Sequence, residues 1–367
     1  MARISSKNEK IKRRYLRRLR EAEGLAESTV LCVEKAVYLY EDFVRHEDYA
    51  LFNQNKAINL KKWLLKRTHK GQTISISTVH GYLRHLKRFF TWLSDQPGYK
   101  SRINADSVSY LSLDKKQVRE ATARRLVDFP PLGYVEKLAD SIVIKTEIDR
   151  RDQALIAFSF LSGMRDKAIA TLPFGCFDRE TLRVDQDPAK GVQTKFGKSF
   201  VSVLFPFSDK LREYVVGWAE YLEKHKHFAP TDPLFPKSKV EQESGGLTFV
   251  ANEVDRNFWK GTGSIRSIFQ KRSEMAGLAY YHPHTFRHAA IYLARKLCRN
   301  AEEIKAVSQN VGHEDVGTTM MTYGTLDQHR VSEVIRSMSF EEVTHDGMSS
   351  EELQVLEKVV KRHRKMT

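Results

Sequence analysis

The sequence predicts a mostly helical α+β protein with a small antiparallel sheet, divided into two domains. Three observations carry this reading. The 367 residues exceed what one core of ordinary size organises, at about 100–200 residues per domain. Apolar residues recur at three- and four-residue steps through several long segments, as helices with one buried face require. Near residue 190, two short stretches rich in β-branched and aromatic residues flank Gly197, the pattern of strands joined by a hairpin.

The elements follow in order. Residues 1–110 form the first, helical domain. In it a helix over 28–46 lines up Val30, Val33, Val37, Leu39, Tyr40 and Phe43, with Ser28 or Thr29 to cap it. A short helix over 58–67 comes next. A third begins near residue 77 with Val79, Leu83, Leu86, Phe89, Phe90 and Leu93 on one side and Arg84, His85, Lys87 and Arg88 on the other. Residues 111–131 lose the apolar period, mix in Lys115, Lys116, Arg119, Arg124 and Arg125, and end in Pro130-Pro131, which reads as a basic linker. The second domain, 132–340, opens with a helix over 149–161. Strands over 181–184 and 199–205 follow, then helices over 210–224, 265–276 and 284–297. The tail, 341–367, has capping chemistry in Ser349-Ser350-Glu351-Glu352 ahead of Leu353, Leu356, Val359 and Val360, so a detachable helix is expected.

The net charge of +15 at pH 7 points to a polyanionic partner, because Lys and Arg gain entropy by displacing the counterions of nucleic acid. Its distribution narrows this. Residues 1–110 hold 22 Lys and Arg against 11 Asp and Glu, a net +11, whereas 111–367 hold 39 against 35, a net +4. Double-stranded DNA is the expected partner, with Arg84, Lys87, Arg88, Arg124 and Arg125 as contact residues. No apolar run approaches the ~20 residues that span a bilayer, and the basic N-terminus has no apolar core behind it. A cytoplasmic location is therefore expected, and a membrane is not. Cys32, Cys176 and Cys298 are odd in number and far apart, which suits neither a disulfide framework nor a zinc site. No metal and no cofactor are expected.

The most specific local signal is His284-Thr285-Phe286-Arg287-His288, entering a helix through Pro283, then Val311-Gly312-His313, then Tyr323 ten residues later. Upstream lie Leu161-Ser162-Gly163-Met164-Arg165 and Thr194-Lys195-Phe196-Gly197-Lys198. In these residues the chain resembles the tyrosine site-specific recombinases, or phage integrases, whose motifs run in the order Arg, Lys, His-x-x-Arg, His, Tyr. The resemblance covers about residues 28–330.

It implies a helical core-binding domain (of the SAM-like kind) over 1–110 and a catalytic domain of the integrase fold over 132–340, together closing as a clamp on duplex DNA. It also implies four protomers acting on two sites, with DNA-bending or directionality proteins as further partners, and integration or excision of a mobile element as the outcome. By the same resemblance, Arg165 and Arg287 would cradle the scissile phosphate, and Tyr323 would be the nucleophile forming a 3′-phosphotyrosine. His284 would take the tyrosine proton or bind the phosphate, His313 would donate to a phosphate oxygen, and Lys195 would protonate the departing 5′-oxygen. Lys198 stands as the alternative acid, because hairpin register is not fixed by sequence. His288 is read as buttressing the site.

Physical chemistry explains the residue types. Charge gathers on the non-bridging oxygens during in-line attack, and guanidinium forks onto two such acceptors without losing its own charge. Neither metal nor ATP is then required. Two departures from the family pattern matter. The acidic residue often found three positions after the first arginine is Ala168 here, with Asp166 the nearest carboxylate, and the step from His313 to Tyr323 is one residue longer than the commonest spacing. A catalytically silent DNA-binding regulator on the same fold, a type IB topoisomerase-like enzyme and a metal-dependent nuclease are the rival readings.

Overall fold

A computed structural model describes residues 5–69, 71–123, 127–243 and 246–313, with the side chains of 240–251 outside the description. Tyr323, Arg124, Arg125 and the expected tail helix lie outside the described residues. The chain forms two compact units, Met1–Leu126 and Val127–Thr367. Both are helix-rich and their sheets are small and antiparallel.

The first unit is built of α1 (Ser6–Glu21), α2 (Glu27–Phe43), α3 (Gln54–Lys66), a two-stranded ribbon of β1 (Thr68–His69) and β2 (Gln72–Thr73), α4 (Ile76–Ser94), α5 (Ala105–Ser109) and α6 (Lys115–Thr122). The sequence reading names no helix before residue 28. In α1, eight Lys and Arg mask an apolar stripe in which Tyr15, Leu16 and Leu19 are buried. A second correction concerns α2, which starts at Glu27 behind Ala26 with no side-chain cap. Ser28 and Thr29 sit inside its first turn, where its amides bond back to the Ala26 carbonyl instead.

α4 buries the six apolar residues expected of it and is capped by the Ser75 hydroxyl, which accepts from the Thr78 amide. Around its Phe89 and Phe90 the core is aromatic. Phe52 stacks on Phe90 with ring centroids 4.0 Å apart, and Tyr40 meets it edge-on at 4.9 Å. The stretch 111–131, expected as a linker, contains α6. Its apolar residues are too few to show a period, but an Asp114–Gln117 capping box starts the helix, and Leu111, Leu113 and Ala121 are buried in the first unit's core.

The second unit comprises α7 (Leu132–Asp140), α8 (Glu147–Ser162), α9 (Asp166–Ala170), β3 (Phe177–Asp178), β4 (Arg183–Gln186), β5 (Phe200–Val203), α10 (Asp209–Lys224), β6 (Ser238–Glu243), β7 (Gly246–Val254), α11 (Gly263–Met275), α12 (Pro283–Leu297) and α13 (Ala301–Asn310). α8 is the central element. Its residues from Arg151 to Ser162 are all buried, as befits a helix surrounded on every side, and it packs against α7, α10 and α12. Truncating one of its large side chains, as in Phe158→Ala, is expected to cost about 3–5 kcal/mol.

Charges inside this core are paired. Arg272 of α11 donates to Asp152 at 2.8 Å and to Asp149 at 2.7 Å, while Arg151 donates to Asp152 at 2.6 Å. Each partner is thereby held, since removing one leaves an uncompensated buried charge. The three-stranded sheet has the order β3-β4-β5, with Val184 opposite Ser202. Among the described residues no helix is long and apolar enough to cross a membrane.

Candidate active site

α8 ends at Gly163, whose left-handed backbone (φ 56°) turns the chain into Met164 and Arg165. A side chain at 163 would be strained by that φ and would also meet Phe205, Val311 and Ala290 at 3.5–3.7 Å. Arg165 precedes the first turn of α9 and lines a cleft of about 490 Å³ together with Asp166, Arg266, His282, His284 and His288.

Arg287 ties the site together. It is 4% exposed on α12, and its guanidinium donates to the Gly163 carbonyl in the turn before Arg165 and, at 2.9 Å, to the Val311 carbonyl at the end of α13. Its Nη2 also lies 3.0 Å from His313 Nε2. A guanidinium only donates, so that nitrogen of His313 accepts and the ring proton sits on Nδ1. One side chain thus joins the segments that carry Arg165, the His-x-x-Arg box and His313.

His313 is placed by α13, which the sequence reading did not name. The Asn310 side chain forms two hydrogen bonds to the backbone of Val203 in β5, at 2.7 and 2.9 Å, and so mimics a neighbouring strand. Gly312 then passes against the Phe200 ring with φ 67°, and a Cβ there would fall 2.4 Å from that ring. Glycine is required twice over at this position.

The electrostatics agree with a compact cationic site. Burial, then Arg287, Arg165, His288 and Lys195, push His313 down to about 4. Burial, His284 and Arg287 push His288 down to about 4. His284 is lowered by the packing around it, by Arg287, by His282 and by Arg165. All three imidazoles are therefore held toward the neutral form. His288 meets His284 edge to face at 5.0 Å.

Lys195 and Lys198 lie in the connection between β4 and β5. Lys195 is exposed in a tight turn whose Phe196 adopts φ 61°. It is among the charges that His313 senses. The Lys198 carbonyl closes the turn by accepting from the Thr194 hydroxyl at 2.7 Å. The structure therefore brings Arg165, Lys195, His284, Arg287, His288 and His313 into one neighbourhood of the second unit. Tyr323 belongs to a segment outside the described residues.

In the first unit, Arg84, Lys87 and Arg88 stand exposed on α4 and line a cleft with Arg18 and Trp92. Glu23 pairs with both Arg88 and Arg18. Sequence reasoning missed Arg18, because α1 was not recognised as a helix. It also missed His282, Lys167 and Arg266 in the cleft beside Arg165, since these carry no motif and meet only in the folded chain.

Comparison with known proteins is consistent with this geometry. Residues 135–330 match the model of the phage integrase family. The tyrosine recombinase XerC of Pseudomonas putida (strain W619) is 24% identical over 328 residues, which is 88% of this chain and 93% of that protein. XerD of Oceanobacillus iheyensis is 22% identical over 322 residues, covering 87% and 94%. Among solved structures, a lambda integrase dimer bound to a COC′ core site matches with a TM-score of 0.58 at 11% identity, covering 92% of this chain and 99% of that one. The Tn1549 transposon integrase in complex with transposon right end DNA matches with a TM-score of 0.55 at 16% identity, covering 89% and 98%.

Proposed function

The chain belongs to the phage integrase family, and from that premise we propose that it is a site-specific DNA recombinase that cleaves and rejoins strands through a covalent 3′-phosphotyrosine link to Tyr323. The observation that carries this reading is the buried Arg287, bonded at once to the turn before Arg165, to the end of α13 and to His313. Such a fixed arrangement stabilises charge as it develops and needs no reorganisation during the reaction.

The steps follow from these side chains. Tyr323 Oη attacks the scissile phosphorus, its proton passing to His284, while Arg165 and Arg287 hold the non-bridging oxygens. His313, neutral and with its proton on Nδ1, donates to a phosphate oxygen. The bond to the 5′-oxygen breaks as Lys195 supplies a proton. The phosphotyrosine conserves the bond energy, and attack by a 5′-hydroxyl of the partner strand reverses the step. Two arginines neutralise the phosphate, so the reaction proceeds without metal or ATP.

The first unit supplies affinity through Arg84, Lys87 and Arg88, with Arg124 and Arg125 continuing the contact. The proposed domains are 1–110 and 132–340, and of the stretch 111–131 that joins them Leu111, Leu113 and Ala121 belong to the first unit's core. Four protomers act on two sites, a reading supported by the likeness to a lambda integrase tetramer bound to a Holliday junction. The event served is integration or excision of a mobile element, which matching repeats flanking the gene would reveal.

The test uses a nicked duplex that traps the cleaved state, in the presence of EDTA. The wild-type chain is expected to yield a denaturant-resistant protein–DNA adduct and Tyr323→Phe none. An equal adduct from Tyr323→Phe moves the nucleophile elsewhere, and no adduct from the wild type favours the silent regulator.

A further inference from the structure

The N-terminus of α12 is capped by an unusual residue type. Ser, Thr, Asp and Asn lead at such positions because a short side chain sets an oxygen over the first free amides. In this chain Ser75, Thr146, Ser208 and Asn300 cap α4, α8, α10 and α13 in that way. At α12 the cap is His282, whose Nδ1 accepts from the amide of His284 at 3.2 Å. Its carbonyl accepts from the amide and the hydroxyl of Thr285 at 2.8 and 2.7 Å. An imidazole nitrogen accepts only while it carries no proton. The cap that holds His284 is therefore removable by a proton, unlike a hydroxyl or an amide oxygen.

The surroundings sharpen this. His282 shares its cleft with Arg165 and Lys167 from the α9 end, Arg266 of α11, and His284 and His288 of α12. Asp166 is the one carboxylate among the described residues lining that cleft. It senses His282, Arg266 and Arg287, although burial holds it above the usual carboxylate range. A protonated His282 adds a cation at the positive end of the α12 dipole, among Arg165, Lys167, Arg266 and Arg287, with Asp166 alone opposing them.

We propose that His282 is a positioning residue of the cleavage step: its unprotonated Nδ1 fixes the first turn of α12, and with it His284, so that protonation of this cap releases His284 and slows cleavage. The proposal rests on the cleavage chemistry given above. The residue touches no reacting atom and acts through His284.

The test is the rate of adduct formation by the full chain on saturating nicked duplex, from about pH 5 to 8, the range in which imidazoles change charge. His282→Ala is expected to slow the reaction about tenfold near neutral pH, the equivalent of a lost helix cap, with DNA affinity unchanged. His282→Ser offers an acceptor that no proton removes. It is expected to match the wild type near neutral pH and to lose less of its rate than the wild type as pH falls, the remaining decline being that of His284 as proton acceptor.

A His282→Ser chain as slow as His282→Ala, or one whose acid limb superimposes on that of the wild type, overturns the proposal. So does His282→Ala with wild-type rates throughout. Since serine is a favourable cap, the serine variant keeps the test decisive even if the alanine variant folds poorly. Absence of adduct from the wild type at every pH is a different result, because it removes the cleavage reading itself.

Discussion

The cations singled out in the two units sit in opposite settings. In the first, Arg84, Lys87 and Arg88 stand exposed, and the pairs they join, such as Arg88 with Glu23, are surface pairs that contribute about 0–1 kcal/mol. Such pairs exchange readily for a phosphate. In the second, Arg287 is 4% exposed, and Arg272 and Arg151 are 6% and 2%, each held by several acceptors. An exposed cation confers affinity that salt screens, whereas a buried one anchored by protein acceptors confers geometry. Under the proposed function this difference separates holding DNA from acting on it, and the Arg287 prediction tests that separation.

The largest effect is expected at Arg287. Arg287→Lys keeps a charge but not the fork onto Gly163, Val311 and His313, so the cleavage rate at saturating DNA should fall by about 10²–10³. The affinity measured by filter binding should hardly change. A comparable loss of affinity would mean that this buried arginine also serves binding, and the comparison would fail.

Lys195→Ala should slow cleavage by about 10²–10⁴, and a substrate with sulfur in place of the bridging 5′-oxygen should restore the rate, because that leaving group departs without a proton. Rescue of Lys198→Ala instead would exchange the roles of the two lysines. The Arg287→Lys defect should persist on the sulfur substrate, since charge on the non-bridging oxygens still needs stabilising.

A smaller effect separates space from strain. Gly312 and Gly191 both have positive φ, 67° and 94°, but an added Cβ meets the Phe200 ring at 312 and open space at 191. Gly191→Ala should lower stability by about 1–2 kcal/mol through backbone strain alone. Gly312→Ala should lose more and should also slow cleavage by displacing His313. Equal losses in thermal melts would show that the Phe200 contact is immaterial.

The last is a pH effect. His288 and His313 ionise at about 4 in the folded chain against an ordinary 6.5. Below 6.5 the unfolded chain takes up these protons first, so stability present above that pH is lost as pH falls toward 4. His288→Asn should flatten that decline in the melting temperature between these two values, and an unchanged slope would mean that the residue is not held neutral.

Much of this organisation was legible in the sequence, for identifiable reasons. The α4 face, the α8 core helix and the strands on either side of Lys195 follow from apolar period and turn chemistry. The cluster of Arg165, His284, Arg287 and His313 follows from motif order. What was hidden depended on long-range contacts. The basic residues of α1 mask its apolar stripe, α6 inside the expected linker is held by packing on α4, and α13 is fixed by Asn310 bonding to Val203 across 107 positions. The roles of His282 and Asp166 arise only where α9 and α12 begin beside one another, which no spacing rule encodes.

The central claim, that one unit holds DNA and the other performs the chemistry, is tested most directly by measuring Kd against salt and the saturated cleavage rate in a single pair of variants. Arg84→Ala/Lys87→Ala/Arg88→Ala should weaken binding and reduce the slope of log K against log salt by about 0.9 for each phosphate contact removed, while leaving the saturated rate unchanged. Arg287→Lys should do the reverse. If the triple variant cleaves slowly at saturation while its salt slope stays at the wild-type value, the division of labour is wrong.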